Sequence, residues 1–458
     1  MREEARRNHS PTVASGGIAS LGSGGGGKGA GIGLGSIGTL GHGAGTGTGA
    51  GYGAAAPRIA AAAPTVNGRA GAPATATKTS GTNVQVAGVD EPDIVKTDGK
   101  YVYIAQNGAL RIAEAMQPRI VSVTKLSGTV REMFVEGDRA VVYTSAGGTP
   151  RRCTYGYDCA FGGDGTSTKV TVLELGDRAA PRVVREIALS GSLVTARRIG
   201  RAVHTVVADG DAPTPRYDSW PLDLDTCGTP EATVRAKFAK LKADNEKILR
   251  ATKPSFPSMV VGGRERPLCD GLLRTAIKDG TAYTSLVSFD LARDDDAPTT
   301  ATIQSRPGAV FASGSALYMS VVHKKAGAPR WYSGYPSVDE VSDIHKFRIG
   351  AAPKETRYVG SGTVPGHVLN QFAMDEWYGY LRVATTRGRV PSPNVSSDLS
   401  VLAEMPGGTL ARIGVIEKIA PGEDIRSVRF EGDRGYIVTF KKTDPLFVVD
   451  LFYPARPK

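Results

Sequence analysis

The chain has 458 residues, 40% hydrophobic and 22% charged, with a net charge of +11, a composition that suits a folded protein and excludes a wholly disordered one. Residues 1–82 hold +5 of that charge, leaving +6 over the much longer remainder. With no dense basic stripe interleaved with aromatics, nucleic acid is not the expected partner. No apolar run reaches the about 20 residues that a membrane-crossing helix needs, so no transmembrane segment is expected.

Residues 1–81 read as a disordered tail. From Gly16 to Gly53 glycine recurs at about every second position, and such a stretch has too little to bury to offset its ordering entropy. Two apparent phosphate-binding matches fall inside it. Gly22–Lys28 is followed by Gly29 where a P-loop needs Ser or Thr, and Gly33, Gly35 and Gly38 arise in a glycine-rich run. Neither follows a strand nor opens a helix, so neither has the context for cradling phosphate. The charged start Met1–Arg7 leads into no apolar core, so no signal peptide is visible.

Residues 82–458 read as one repeating domain. A Gly- or Asp-bearing turn followed by an apolar strand recurs at 97–105, 135–144, 198–207, 312–321, 373–384 and 430–440. Each is partnered by a second alternating strand, at 109–115, 169–175, 285–291, 343–349, 409–416 and 445–451. Asn107-Gly108 between two such runs is a strong hairpin signal. The phrases Phe134-Val-Glu-Gly-Asp-Arg139 and Phe430-Glu-Gly-Asp-Arg434 mark internal duplication. Further strand-like pieces at 182–187, 299–303 and 356–359 bring each unit to about four strands. That pattern predicts an all-β chain, a β-propeller of about six to eight blades with six units visible; a β-sandwich or solenoid is the competing architecture. The sixth unit ends after Leu451 with no outer strand, so the ring is expected to be incomplete there unless Asn83–Val86 pairs back to finish the last blade.

One insertion, at about 209–280, carries a helix. Thr229 is placed to cap it, Pro230 to occupy its first position and Glu231 to meet its positive end. Cys153 and Cys159 lie in one polar loop, and Cys227 and Cys269 bracket the helix. An even count in loops is consistent with two disulfides, the second closing the insertion, or with four free thiols.

The phrase Asn83–Ile104, NVQVAGVDEPDIVKTDGKYVYI, and the phrase Glu423–Leu451 near the end resemble the bacterial secreted proteins with a C-terminal β-propeller domain distantly related to WD40 repeats. The resemblance covers roughly 82–454. It implies an extracellular, periplasmic or envelope location and brings no catalytic residues with it.

The residues suggest little chemistry. There is no GxSxG elbow and no HExxH, and His204 and His345 fall inside strand patterns where a packed imidazole is the ordinary outcome. No cofactor is expected. Asp90, Glu91 and Asp93, with Asp98, could offer oxygens to a hard cation such as calcium, or could bond backbone at turns. Trp331 and Tyr332 form an aromatic pair in a loop, either a recognition surface or a cover for the strands beneath. The favoured reading is a non-enzymatic interaction module of the cell envelope or exterior, binding a protein or glycan through its loop insertions. The alternative is an envelope hydrolase or lyase with a site at the channel mouth.

Overall fold

The computed structural model describes residues 84–458 except 118, 148–160, 211–216, 226, 253–255, 270, 276–281, 325–339, 391 and 441–444. The N-terminal tail, Cys153, Cys159, Trp331 and Tyr332 lie outside the described residues. Two compact units are present, one over Asp211–Ser255 and one holding the remaining described chain.

The larger unit consists of six sheets in chain order, antiparallel throughout except for the short parallel pairing of Leu273–Arg274 with Thr299–Gln304. Sheet one is a meander of β1 (Val95–Thr97), β2 (Tyr101–Gln106), β3 (Ala109–Glu114) and β4 (Ile120–Lys125). Sheet two is built on β5 (Thr129–Glu136), β6 (Arg139–Ala146), β7 (Ser167–Glu174) and β8 (Arg182–Leu189). Sheet three uses β9 (Ser192–Ile199) and β10 (Ala202–Asp209). Past the insertion come β11 (Ser258–Val261) and β12 (Arg264–Pro267), which extend the outer edge of sheet two, and β13 (Leu273–Arg274), β14 (Tyr283–Asp290) and β15 (Thr299–Gln304), which complete sheet three. Sheet four is β16 (Ala309–Ala312), β17 (Ala316–Lys324), β18 (Glu340–Arg348) and β19 (Arg357–Pro365). Sheet five is β20 (Met374–Trp377), β21 (Tyr380–Arg387), β22 (Ser396–Glu404) and β23 (Leu410–Ile419). Sheet six has three strands, β24 (Asp424–Glu431), β25 (Arg434–Phe440) and β26 (Leu446–Asp450).

Strand periodicity explains how these sheets stack. Successive side chains leave opposite faces of a strand, so an inner strand apolar throughout must be covered on both sides. On β6, Ala140 and Val142 join Tyr103, Leu110 and Ile112 of sheet one, while Val141 and Tyr143 join Val203, Val287 and Phe289 of sheet three. On β17, Leu317, Met319 and Val321 pack with Val206, Leu286 and Ile303 of sheet three, and Ala316 and Tyr318 face sheet five. Sheet six adds Ile425, Val428, Ile437 and Val449 to the cluster shared by sheets four and five. Consecutive sheets therefore bury each other face to face along the chain. A two-layer sandwich would give one shared core in place of this succession.

The repeated turns are as tight as their residues suggest. Asn107 and Gly108 both take positive φ, at 50° and 67°, the geometry of a two-residue primed hairpin. Asn83–Val86 is a different matter: Val84–Val86 is not a strand, and the Gln85 amide instead donates to the carbonyls of Gln371 and Met374, at 3.1 and 3.0 Å. Val84–Val86 is thus tied to the start of sheet five, and the pairing offered as a way to finish the last blade does not form among the described residues.

The smaller unit carries α1 (Glu231–Ala251), the one α-helix among the described residues. Trp220 meets Phe238 edge-on at 5.3 Å between centroids, and Lys237 pairs with Asp223 at 2.9 Å. Pro230 is the flanking N-cap residue, without a side-chain cap. The Thr229 hydroxyl donates to the Asp225 carbonyl, and with Pro230 in the N-cap position Thr229 lies one residue too early to cap α1. No disulfide forms among the described residues, and Cys227 is exposed. An even cysteine count does not by itself supply the opposed Cβ vectors a bridge requires. The expected Cys227–Cys269 bridge is corrected accordingly.

Sheets four and five meet through glycine. A Cβ on Gly360 of β19 would fall inside the contact radius of the Gly408 carbonyl oxygen, and one on Gly362 would do the same to Leu410. Because backbone, not a flexible side-chain end, stands in the way, Gly360→Ala is expected to cost about 3 kcal/mol of unfolding free energy, measured by urea denaturation. A change below about 0.5 kcal/mol would show that the sheets do not approach this closely.

Candidate functional site

The first ten described residues run past the first strands of sheets two and three, and a cluster of polar side chains gathers around them. Asp90 exchanges two backbone hydrogen bonds with Arg198 of β9, at 2.8 and 3.0 Å, and Asp93 exchanges two with Met133 of β5, at 3.1 and 2.8 Å. Val89, 2% exposed, enters the apolar cluster between sheets three and four. Val84–Asp93, which turns at Ala87-Gly88 before its two bridges, thus acts as a hub segment, satisfying backbone groups that strand edges would otherwise leave open.

Side chains reinforce this seating. Asp90 Oδ1 accepts from Lys96 Nζ at 2.8 Å, and its Oδ2 accepts from Arg198 Nε and Nη2 at 3.1 and 2.9 Å. Arg198 also reaches Glu136 of β5 at 2.5 Å. Glu91 accepts from the Gln371 amide, at 3.2 Å to each carboxylate oxygen. Gln371 opens a single 3₁₀ turn, Gln371–Ala373, preceded by Asn370, whose Oδ1 accepts the Phe372 N–H at 3.0 Å.

The other side of Gln371 faces Arg197, which is 2% exposed. Arg197 Nη2 donates to Gln371 Oε1 at 2.6 Å, and Nη1 donates to Thr195 Oγ1 and the Ala196 carbonyl at 2.6 and 2.7 Å. All these acceptors are neutral, so one amide stands between a buried guanidinium and the Glu91 carboxylate. Burial pulls the Arg197 pKa down, against the pull of Glu91, Glu132 and Asp90, but a guanidinium stays protonated in proteins. Glu132 of β5 is the remaining charge-bearing group. The residue is half-buried, but its Oε1 is sealed from water without a hydrogen-bond partner, and desolvation pushes the carboxyl up to about 8, outweighing the attraction of Arg197 and Arg131.

Beside the hub segment opens a cleft of about 530 Å³, lined by Asp90, Lys96, Asp98, Glu136, Arg198 and the turn glycines Gly137 and Gly200 among others. Asp98 belongs to the turn geometry of sheet one. It accepts the N–H groups of Lys100 and Tyr101 at 2.9 and 2.7 Å and the Tyr103 hydroxyl at 2.7 Å. Partial burial raises its carboxyl pKa, but these donors outweigh it and hold the group below its ordinary value.

The sequence offered Asp90, Glu91 and Asp93 either as oxygens for a hard cation or as acids bonding backbone at turns, and the structure sets all three on the hub segment. Asp90 is saturated by two cations, Glu91 faces an amide, and Asp93 accepts the Ile94 N–H at 2.6 Å. Among the described residues no three His, Cys, Asp or Glu side chains gather as cation ligands. A carboxylate whose lone pairs point at a guanidinium and an ammonium has little left for a metal, and of the three only Asp93 bonds backbone through its side chain. Arg197, Glu132 and Gln371 escaped the sequence reading. The one available signal was Arg197-Arg198 within a strand, since adjacent residues on a strand face opposite ways and one must turn inward.

The histidines inside strands are packed. His204 Nδ1 meets Ser288 Oγ and its Nε2 meets the Gly350 carbonyl, both at 2.8 Å, while His345 Nδ1 meets the Tyr358 hydroxyl at 3.1 Å. Burial depresses each to about 4.

These contacts and the sheet succession agree with what comparison with known proteins finds. Residues 79–458 match the beta propeller domain family, and the chain belongs to that family. It is 26% identical over 416 residues to an uncharacterized protein of Methanocaldococcus jannaschii, covering 83% of this chain and 61% of that one. It is also 43% identical over 116 residues to an uncharacterized protein of Archaeoglobus fulgidus, covering 25% of this chain and 17% of that one. The chain therefore spans less than two thirds of the length of either relative, and both are archaeal, where the sequence resemblance pointed to bacterial proteins. Among solved structures, Pyrococcus horikoshii acylaminoacyl peptidase aligns with a TM-score of 0.31 and 9% identity, covering 80% of this chain and 45% of that one; likeness at that level carries no argument about this chain.

A buried neutral imidazole must gain a proton on unfolding in acid. His204 and His345 therefore contribute stability that is present above about pH 6.5 and is lost as pH falls towards 4. His204→Gln is expected to flatten this acid limb by about one proton's slope, roughly 1.4 kcal/mol per pH unit, in urea unfolding between pH 4.5 and 6.5. An unchanged slope would show that His204 is not held neutral.

Proposed function

We propose that this β-propeller chain is a non-enzymatic interaction module, its six sheets standing as blades, that works in the cell envelope or exterior and binds a protein or glycan through loops at one end. Location rests on the sequence resemblance. The observation that carries the binding reading is the β20–β21 turn: Tyr378 is 86% exposed and sits at φ 51°, beside Trp377 at 40%. A bulky residue in the left-handed region is strained by about 1–2 kcal/mol, and in a two-residue hairpin Asn would relieve that strain. The rings meet edge-on at 5.1 Å. At the same end, Arg382 stacks over Trp377 and Phe430 at 5.5 and 5.0 Å and donates to the Gly432 carbonyl of the next sheet at 2.6 Å. Phe452 and Tyr453, 62% and 63% exposed, follow β26 there. Rigid exposed rings over a polar rim suit protein anchors and the apolar faces of sugars alike.

The hydrolase or lyase alternative draws on the 530 Å³ cleft at the hub. There Asp90 and Glu136 are neutralised by Lys96 and Arg198, an arrangement that suits seating a segment better than separating an acid from a base.

Tyr378→Asn is expected to raise unfolding free energy by about 1 kcal/mol while weakening capture on a glycan array and in pull-downs from envelope extracts at least tenfold. A variant that is more stable and binds equally well would remove this surface from the proposal.

A further inference from the structure

The hub segment is held at one end by a residue next to a group that the rest of the site does not use. β5 carries a register irregularity between Val130 and Glu132, leaving Arg131 out of the ladder and free to pair with Asp164 at 3.1 Å. A bulge re-aims the side chain beside it. Glu132 then precedes Met133, whose N–H and C=O both hold Asp93. The charged groups acting on Glu132 come from four places: Arg197 from β9, Arg131 from its own strand, Asp93 from the hub segment and Lys96 from β1. Two of the three cations are already engaged, Arg131 by Asp164 and Lys96 by Asp90. The third, Arg197, is tied to Gln371, which in turn holds Glu91 of the segment.

We propose that Glu132 makes the seating of Val84–Asp93 proton-linked, the segment being latched while this carboxyl holds its proton and released as the carboxyl ionises. Ionisation spreads charge onto Oε1, which water does not reach and no donor meets. It can be relieved by drawing Arg197 away from Gln371, which loosens Glu91, or by admitting water where the segment now lies. Either route frees the segment. Opening then exposes the backbone edges of β5 at Met133 and of β9 at Arg198, giving a strand-pairing surface that the closed hub conceals.

The direction follows from linkage. In the closed hub the proton is kept to about pH 8, whereas a solvated glutamate loses it near its ordinary value of 4.5. Between those limits, opening releases one proton, so the open population rises about tenfold per pH unit and levels off above about 8. Buried imidazoles elsewhere affect global unfolding in the opposite sense and only below about pH 6.5.

The test is hydrogen–deuterium exchange on the full chain from pH 6.5 to 9, with rates converted to protection factors so that the intrinsic pH dependence is removed. The Asp90 and Asp93 amides, bonded to Arg198 and Met133, are expected to lose protection about tenfold per pH unit up to about 8. In Glu132→Gln they are expected to show none of that slope. Amides of the core strand β7 serve as the control for global opening. No slope in the unmodified chain, an equal slope in Glu132→Gln, or an equal slope in β7 would overturn the proposal. Should Glu132→Gln fail to fold, pH-difference infrared spectroscopy on the unmodified chain decides instead. A protonated carboxyl band present at pH 7 and lost with a midpoint near 8 supports the latch, and its absence at pH 7 overturns it.

Discussion

The four backbone hydrogen bonds that tie Asp90 to Arg198 and Asp93 to Met133 are the constraint on which the centre of this molecule depends. Stacked sheets bury their faces against one another, but edge strands such as β5 and β9 still present unpaired N–H and C=O groups. Leaving such groups dry and unbonded costs about 1–3 kcal/mol each. Here a segment of the same chain supplies partners to β5 and β9, and through Gln85, Glu91 and Gln371 it reaches the start of sheet five. The start of sheet five is thereby fastened to residues that come before the first sheet.

Electrostatics then decides how the centre is filled. Arg197 is fully buried, yet its hydrogen-bond partners are carbonyl, hydroxyl and amide oxygens. Its countercharges stand one group away, behind the Gln371 amide or, at Glu132, in a carboxyl that burial favours as neutral. A buried ion pair in direct contact would have paid desolvation twice; an amide relay keeps one charge hydrogen-bonded and leaves the neighbouring carboxyl able to respond to pH. At the turn end the balance differs, since Arg382 is shared between Asp375, two aromatic rings and the Gly432 carbonyl, joining sheets five and six beneath exposed aromatics.

Much of this architecture was legible in the residues because hairpins are local. Asn107-Gly108, the paired Glu-Gly-Asp-Arg phrases and the alternating runs each prescribe a turn or a strand from neighbours alone, and the six sheets fall where those units lie. The centre was not legible for the opposite reason. Gln371 and Glu91 are 280 positions apart, and nothing near Gln371 distinguishes it from any amide in a loop. Asp90, Glu91 and Asp93 were visible as an acidic group, but whether they face a metal, a backbone or a guanidinium depends on Arg198 and Gln371, which the fold alone brings near. The insertion shows the same division. Its helix was clear from pattern, whereas its last strands complete sheets two and three, which only tertiary pairing could reveal.

If Val84–Asp93 fastens the inner strands, Asp90 and Arg198 must depend on each other energetically as well as spatially. A double-mutant cycle with Asp90→Ala, Arg198→Ala and the double variant, read by urea unfolding, measures that dependence directly. The account predicts a coupling of about 2 kcal/mol. Additive losses, with a coupling within about 0.3 kcal/mol of zero, would contradict it and leave the segment a passenger on the sheets.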